Sequence, residues 1–163
     1  MTLSTNADAW FEQGGDANKG DDSVLKVQSK GGNDAFRAIV RFALPAVPAG
    51  CELDTAELRL YAESAKPGRT IQVQRVAMAW GEMTVSWPNQ PARIGAISSS
   101  TSGSEQGWRS WSVTAQVAGM YDDGAAHGFV IFDQVENEDS EQVYRSRESG
   151  SDRPTLIVRF RPD

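Results

Sequence analysis

The chain has 163 residues, 22 acidic against 16 basic side chains for a formal net charge of −6, five tryptophans and one cysteine. A chain of this length can close a core of its own without disulfide or metal staples, so a single domain over residues 1–163 is expected, and a lone Cys51 excludes an intrachain disulfide. The acidic balance argues against nucleic acid as a partner, because phosphate-tracking surfaces need a basic stripe, and no apolar run approaches the ~20 residues that cross a membrane.

In chain order, short runs of period two, rich in β-branched and aromatic residues, predict strands at 8–13, 24–28, 36–42, 57–63, 70–77 and 83–87. The second half adds strands at 96–100, 108–113, 128–134, 142–147 and 155–160. In the fourth run Leu58, Leu60 and Ala62 share one side while Glu57, Arg59, Tyr61 and Glu63 share the other, so one face is core and one is wet. Pro45 and Pro48 mark a loop, and the Ser-rich stretch 98–107 reads as a polar surface connection. One segment breaks the pattern: Val117, Met120 and Tyr121 recur at helical spacing after Thr114 and before Gly124. It predicts a short helix over 114–122 with Thr114 as N-cap, closing one end of the molecule. The whole reads as all-β, two packed sheets or a jelly roll. The opening, Met1 to Trp10, lacks the basic-then-apolar pattern of an export signal, so the signal of an exported parent is expected outside this chain.

Few residues suggest chemistry. The glycine-rich "GGDANKGDD" (14–22) is followed by no Gly-Lys-Ser/Thr triplet, so it is not a phosphate loop. It does space oxygen ligands at Asp16, Asn18, Asp21 and Asp22, which makes a structural calcium ion one expectation and a solvated turn the other. No glutamate closes it as an EF-hand. A second acidic run, "DQVENEDSE", sets Asp133, Asn137, Asp139 and Glu141 on alternate positions with Glu136 and Glu138 between; such density stays in water or attracts a cation. The sole histidine, His127, lies in a glycine-rich turn, no Gly-x-Ser-x-Gly elbow is present, and one His with one Cys falls short of a zinc site. No carboxylate pair stands out for glycosidic hydrolysis, and no enzyme activity is expected.

Tryptophan parity says more, because an aromatic face can stack on a sugar ring. In 108–113, Trp111 goes inward with Val113 and Trp108 outward with Ser110 and Ser112; in 8–13, Phe11 goes inward with Ala9 and Trp10 outward with Asp8 and Glu12. Trp108 and Trp10 are therefore the candidate carbohydrate platforms. Arg59, Tyr61, Gln72 and Gln74 form a polar set on the outward face of the middle strands, suited to hydroxyls or a carboxylate. Finally, "RSRESGSDRP" (145–154) combines arginines and a glutamate before the last strand. Arg145 and Arg147 share the parity of Val143, so they need carboxylate partners, and the stretch reads as a charged corner in which Glu148 either pairs with them or joins the 16–22 loop around a cation.

Read in order, the chain resembles the DNRLRE-domain family of bacterial and archaeal extracellular proteins, which overlaps the family 96 carbohydrate-binding modules. The resemblance rests on "ADAWFEQGG", "NKG" and "SVLKV", on "FRAIVRFALPAVPAG" and "LDTAELRLY", and on Trp80 to Pro91, which follows a Trp-x-Glu-x-x-Val-x-Trp-x-x-x-Pro signature. It closes with "WRSWSVTAQV" and "YRSRESGSDRPTLIVRF". Ala43 stands where the family usually has Asp, and Lys19 where it has an aromatic. The resemblance implies a β-sandwich of jelly-roll type, non-catalytic, one module of a larger secreted or surface protein. Relatives that bind alginate look to basic side chains, which in this acidic chain implies a local patch, with Arg59, Arg69 and Arg75 as its expected members. The expected function is thus a monomeric module that binds a polysaccharide, acidic glycans included, beside other modules of its parent. The alternative is a structural or adhesive spacer without a ligand. A groove shared by Trp10 and Trp108 would favour the first, and burial of both the second.

Overall fold

A computed structural model describes residues 1–163. Its strands are β1 (Thr2–Ser4), β2 (Ala7–Glu12), β3 (Val24–Val27), β4 (Phe36–Arg41), β5 (Cys51–Ser64), β6 (Thr70–Val76), β7 (Arg93–Thr101), β8 (Gly107–Ser112), β9 (Phe129–Asp133), β10 (Gln142–Arg145) and β11 (Thr155–Pro162), with one helix, α1 (Thr114–Asp123). They form two antiparallel sheets: β1-β11-β5-β10-β3 with β8 also on β5, and β2-β4-β9-β6-β7. The chain crosses between the sheets at nearly every connection, so local alternation alone packs a sandwich.

The long β5 organises the six-stranded sheet. Leu58 pairs with both Trp111 of β8 and Leu156 of β11, while Ala62 pairs with both Gly107 of β8 and Tyr144 of β10. Strands β10 and β11 therefore lie end to end along one edge of β5, and residues 146–154 are an excursion between them. That excursion is the charged corner, and its position at the edge of one sheet, opposite the edge strand β2 of the other, is what brings it near β2.

Ala56, Leu58, Leu60, Ala62, Val73, Trp111, Tyr144 and Leu156 meet between the sheets in a core of 22 buried residues, closed at one end by Val117 and Met120 of α1. Each large side chain buried there stabilises the fold by ~1.5–3 kcal/mol. Gly124 ends α1 in the left-handed region at φ 64°, which a glycine adopts without strain. The predicted cap differs: Val113 is the N-cap and Thr114 Oγ1 instead accepts the Ala56 amide at 3.0 Å, tying the helix to β5.

A second cluster of seven buried residues lies on the outer face of the five-stranded sheet, where Ala9, Phe11, Ile39, Val76, Val130 and Phe132 are covered by Val85, with Trp80 and Trp87 against them. This corrects the strand predicted at 83–87. The segment 77–92 is a run of turns, because Pro88 and Pro91 cannot donate to a ladder and its apolar side chains work as plugs. No helix is long and apolar enough to cross a membrane.

Candidate functional site

The outer face of the six-stranded sheet carries the clearest constellation. Trp108 and Tyr61 are cross-strand partners on β8 and β5, both half-exposed, with rings edge to face at 5.5 Å. The Arg59 guanidinium lies 5.0 Å from the Trp108 ring and that of Arg145 lies 4.6 Å from Tyr61, so two cations flank the aromatic pair. Arg145 donates to Asp152 Oδ2 at 2.6 Å and to Ser151 Oγ at 3.0 Å. Arg59 Nε is buried and donates to no acceptor; the nearest carboxylate oxygen, on Glu57, is 3.5 Å away. The face continues along β5 into a shallow pocket of about 250 Å³ lined by Thr55, Ala56, Glu57, Ser110, Ser112 and the exposed Arg159. Open pockets of about 420 and 460 Å³ lie elsewhere, around Trp80 and between β7 and α1, away from any stacked aromatic pair.

Trp108 sits where parity puts it, and Trp10 does not. Trp10 is 5 % exposed, packs edge to face on Phe36 at 5.2 Å and donates its indole N–H to Asp22 Oδ2 at 3.0 Å. Both sides of β2 are buried: Trp10 faces the space between the sheets, and Ala9 with Phe11 face the 77–92 cover. Asp8 and Glu12 suggested a wet side, but Asp8 is itself 1 % exposed. Trp10 thus offers no face to a sugar and shares no groove with Trp108.

The polar set is also divided. Arg59 and Tyr61 belong to β5 of one sheet, whereas Gln72 and Gln74 belong to β6 of the other and turn away on the opposite side of the sandwich, where Gln72 donates to Ser99 Oγ at 3.4 Å and Gln74 to the Gly95 carbonyl at 2.8 Å. The anticipated basic patch divides likewise: Arg69 grips Asp133 at 2.9 Å and Glu138 at 3.0 Å, and Arg75 pairs with Asp123, leaving Arg59 with Arg145 and Arg159 as its companions. The acidic run from 133 to 141 is consumed in such pairs, Glu136 with Arg37 and Asp139 with Lys66 among them.

The 16–22 loop does not gather its oxygens. Asp16 and Asp21 are exposed, Asp22 accepts from Trp10 and from the Val24 amide, and Asn18 clamps the neighbouring excursion by donating to the Glu82 and Val85 carbonyls at 2.8 and 2.9 Å. Gly20 lies so close to that excursion that a Cβ would fall 2.1 Å from the Glu82 oxygen. Glu148 is instead grouped with Asp8 and Glu82. Arg147 donates to both oxygens of Glu82, at 3.0 and 2.7 Å, and lies 3.1 Å from Glu148, while its amide donates to Asp8 Oδ2 at 2.7 Å. Burial, and then the nearby charges of Glu148 and Glu82, push the Asp8 carboxyl up to about 7, against the lowering effect of the Arg147 amide. Asp8 and Glu82 escaped sequence reasoning as site residues, since what joins them is pairing between segments far apart in the chain. At 1 % exposure Asp8 cannot reach a polymeric substrate, so its shifted carboxyl is not a catalytic acid.

The family model for carbohydrate-binding module family 96 matches residues 1–160. No curated protein matches the chain.

Proposed function

The chain belongs to carbohydrate-binding module family 96, and from that premise we propose that it anchors a larger secreted or surface protein to an acidic polysaccharide through the outer face of its six-stranded sheet, catalysing nothing itself. The observation that carries this reading is the Trp108–Tyr61 pair held between the guanidinium groups of Arg59 and Arg145. The aromatic rings supply a surface for the apolar face of a sugar, and guanidinium edges grip a carboxylate in two parallel hydrogen bonds. An acidic protein can hold an acidic polymer here because the local charge, not the net charge, decides the contact. In this reading residues 1–163 work as one extracellular module, monomeric, with weak single-site affinity multiplied by further copies or modules of the parent.

Affinity gel electrophoresis checks it, with a polyuronate, a sulfated glycan and a neutral glucan in separate gels. Retardation is expected in the polyuronate, and Trp108→Ala is expected to weaken it about tenfold, the ~1.4 kcal/mol that a stacked ring supplies. Retardation in none of the gels would defeat the reading. The second reading, a spacer without a ligand, draws on the burial of Trp10.

A further inference from the structure

Three carboxylates from three distant parts of the chain converge at one edge of the sandwich: Asp8 on β2, Glu82 in the 77–92 cover and Glu148 in the 146–154 excursion. One oxygen from each lies within 4.8 Å of the others. Two oxygens bound to one calcium ion at ~2.3–2.6 Å can be no more than ~5 Å apart, so the spacing is that of a shared cation.

A second observation points the same way. Asp8 is 1 % exposed, and its Oδ1 accepts no hydrogen bond although Oδ2 accepts from the Arg147 amide. A buried, unpartnered carboxylate oxygen costs several times what a typical hydrogen bond contributes, and carboxylates beside it make the cost larger. Arg147 is the one guanidinium in contact with the cluster, so a single positive charge faces three negative ones.

We propose that Asp8, Glu82 and Glu148 bind one calcium ion that clamps β2 and the two excursions together. The donors are all oxygen, which suits a hard cation and not zinc or copper, and two of them come from loops, which suits the larger and geometrically tolerant calcium over magnesium. Glu82 keeps its contacts to Arg147 and to the Asp8 amide, because Oε1 takes the Asp8 amide and Arg147 Nε while Oε2 accepts only one bond from Arg147 and keeps a further lone pair.

Calorimetric titration of the chelator-stripped chain with CaCl2 at pH 8 is expected to show one site per chain, and 1 mM CaCl2 to raise Tm by about 5 °C, with MgCl2 doing much less. Glu148→Gln, a change at the surface, is expected to abolish both responses. Asp16→Asn combined with Asp21→Asn is expected to keep them. No heat and no Tm shift in the unmutated chain would overturn the site, as would a calcium response that survives Glu148→Gln and is lost in the double variant. None of these readouts involves a polysaccharide, so failure here leaves the binding face on the other sheet unaffected.

Discussion

The two outer faces of this sandwich are built from the same kind of strand and end differently. On the five-stranded sheet the face alternating with the main core is apolar, and the 77–92 excursion covers it with Trp80, Val85 and Trp87 until it becomes a second core. On the six-stranded sheet the corresponding face keeps Trp108 and Tyr61 half-exposed on the strands themselves, with Arg59 and Arg145 laid against them as Arg41 and Arg37 lie against Trp80 and Trp87 of the cover. Tryptophans on the first face hold the protein together, and on the second they are available to something else. Which role an aromatic side chain takes depends on its cover, not on its strand.

The comparison can be broken most forcefully at Phe11, which is fully buried beneath Trp87 with ring centroids 6.2 Å apart. Phe11→Ala is expected to cost about 3–5 kcal/mol in denaturant unfolding, while the folded fraction keeps its polysaccharide retardation. A loss under about 1 kcal/mol would mean that the cover is loose and the two faces are alike. The next effect is one of pH, at the edge beside the cover. With chelator present, Asp8 has a native pKa of about 7 against an ordinary 3.8, so between those values the folded chain holds a proton that the unfolded chain releases. Its contribution to stability is complete below about pH 4, declines as pH rises toward 7 and is then gone; at ~1.4 kcal/mol per unit it amounts to a few kcal/mol at most. Urea midpoints measured from pH 4 to 8 for the unmutated chain minus those for Asp8→Asn should show that decline, and a flat difference would contradict it. The smallest expected effect sharpens the contrast from the other side: replacing Gln72 and Gln74 by Ala should change stability by about 0.5 kcal/mol or less and leave gel retardation unaltered, because both lie on the face opposite Trp108. A clear loss of retardation would move the binding face to the five-stranded sheet.

Much of the sandwich was legible in the sequence because its signals are local. The alternation of Leu58, Leu60 and Ala62 with Arg59 and Tyr61, the inward Trp111 beside the outward Trp108, and Gly124 as the end of α1 all follow from the backbone geometry of one element. The Trp80 to Pro91 signature and the closing strand likewise sufficed to mark the family. Other features are properties of contacts between elements, and period-two parity cannot register them. Parity separates the two sides of β2 but does not say which is wet; neither is, since one meets the other sheet and one meets the 77–92 cover. It groups Arg59 and Tyr61 with Gln72 and Gln74 by likeness, while crossing from sheet to sheet places them on opposite sides of the molecule. Acidic density drew attention to residues 16–22, yet the close carboxylates are Asp8, Glu82 and Glu148, separated by more than sixty positions at each step and joined only when two excursions close over the end of β2. The sequence by itself determined most of the strands, the helix end and the side each residue takes on its own element. Only the tertiary structure decided which of those sides meets water, because solvent exposure depends on what packs there from elsewhere in the chain.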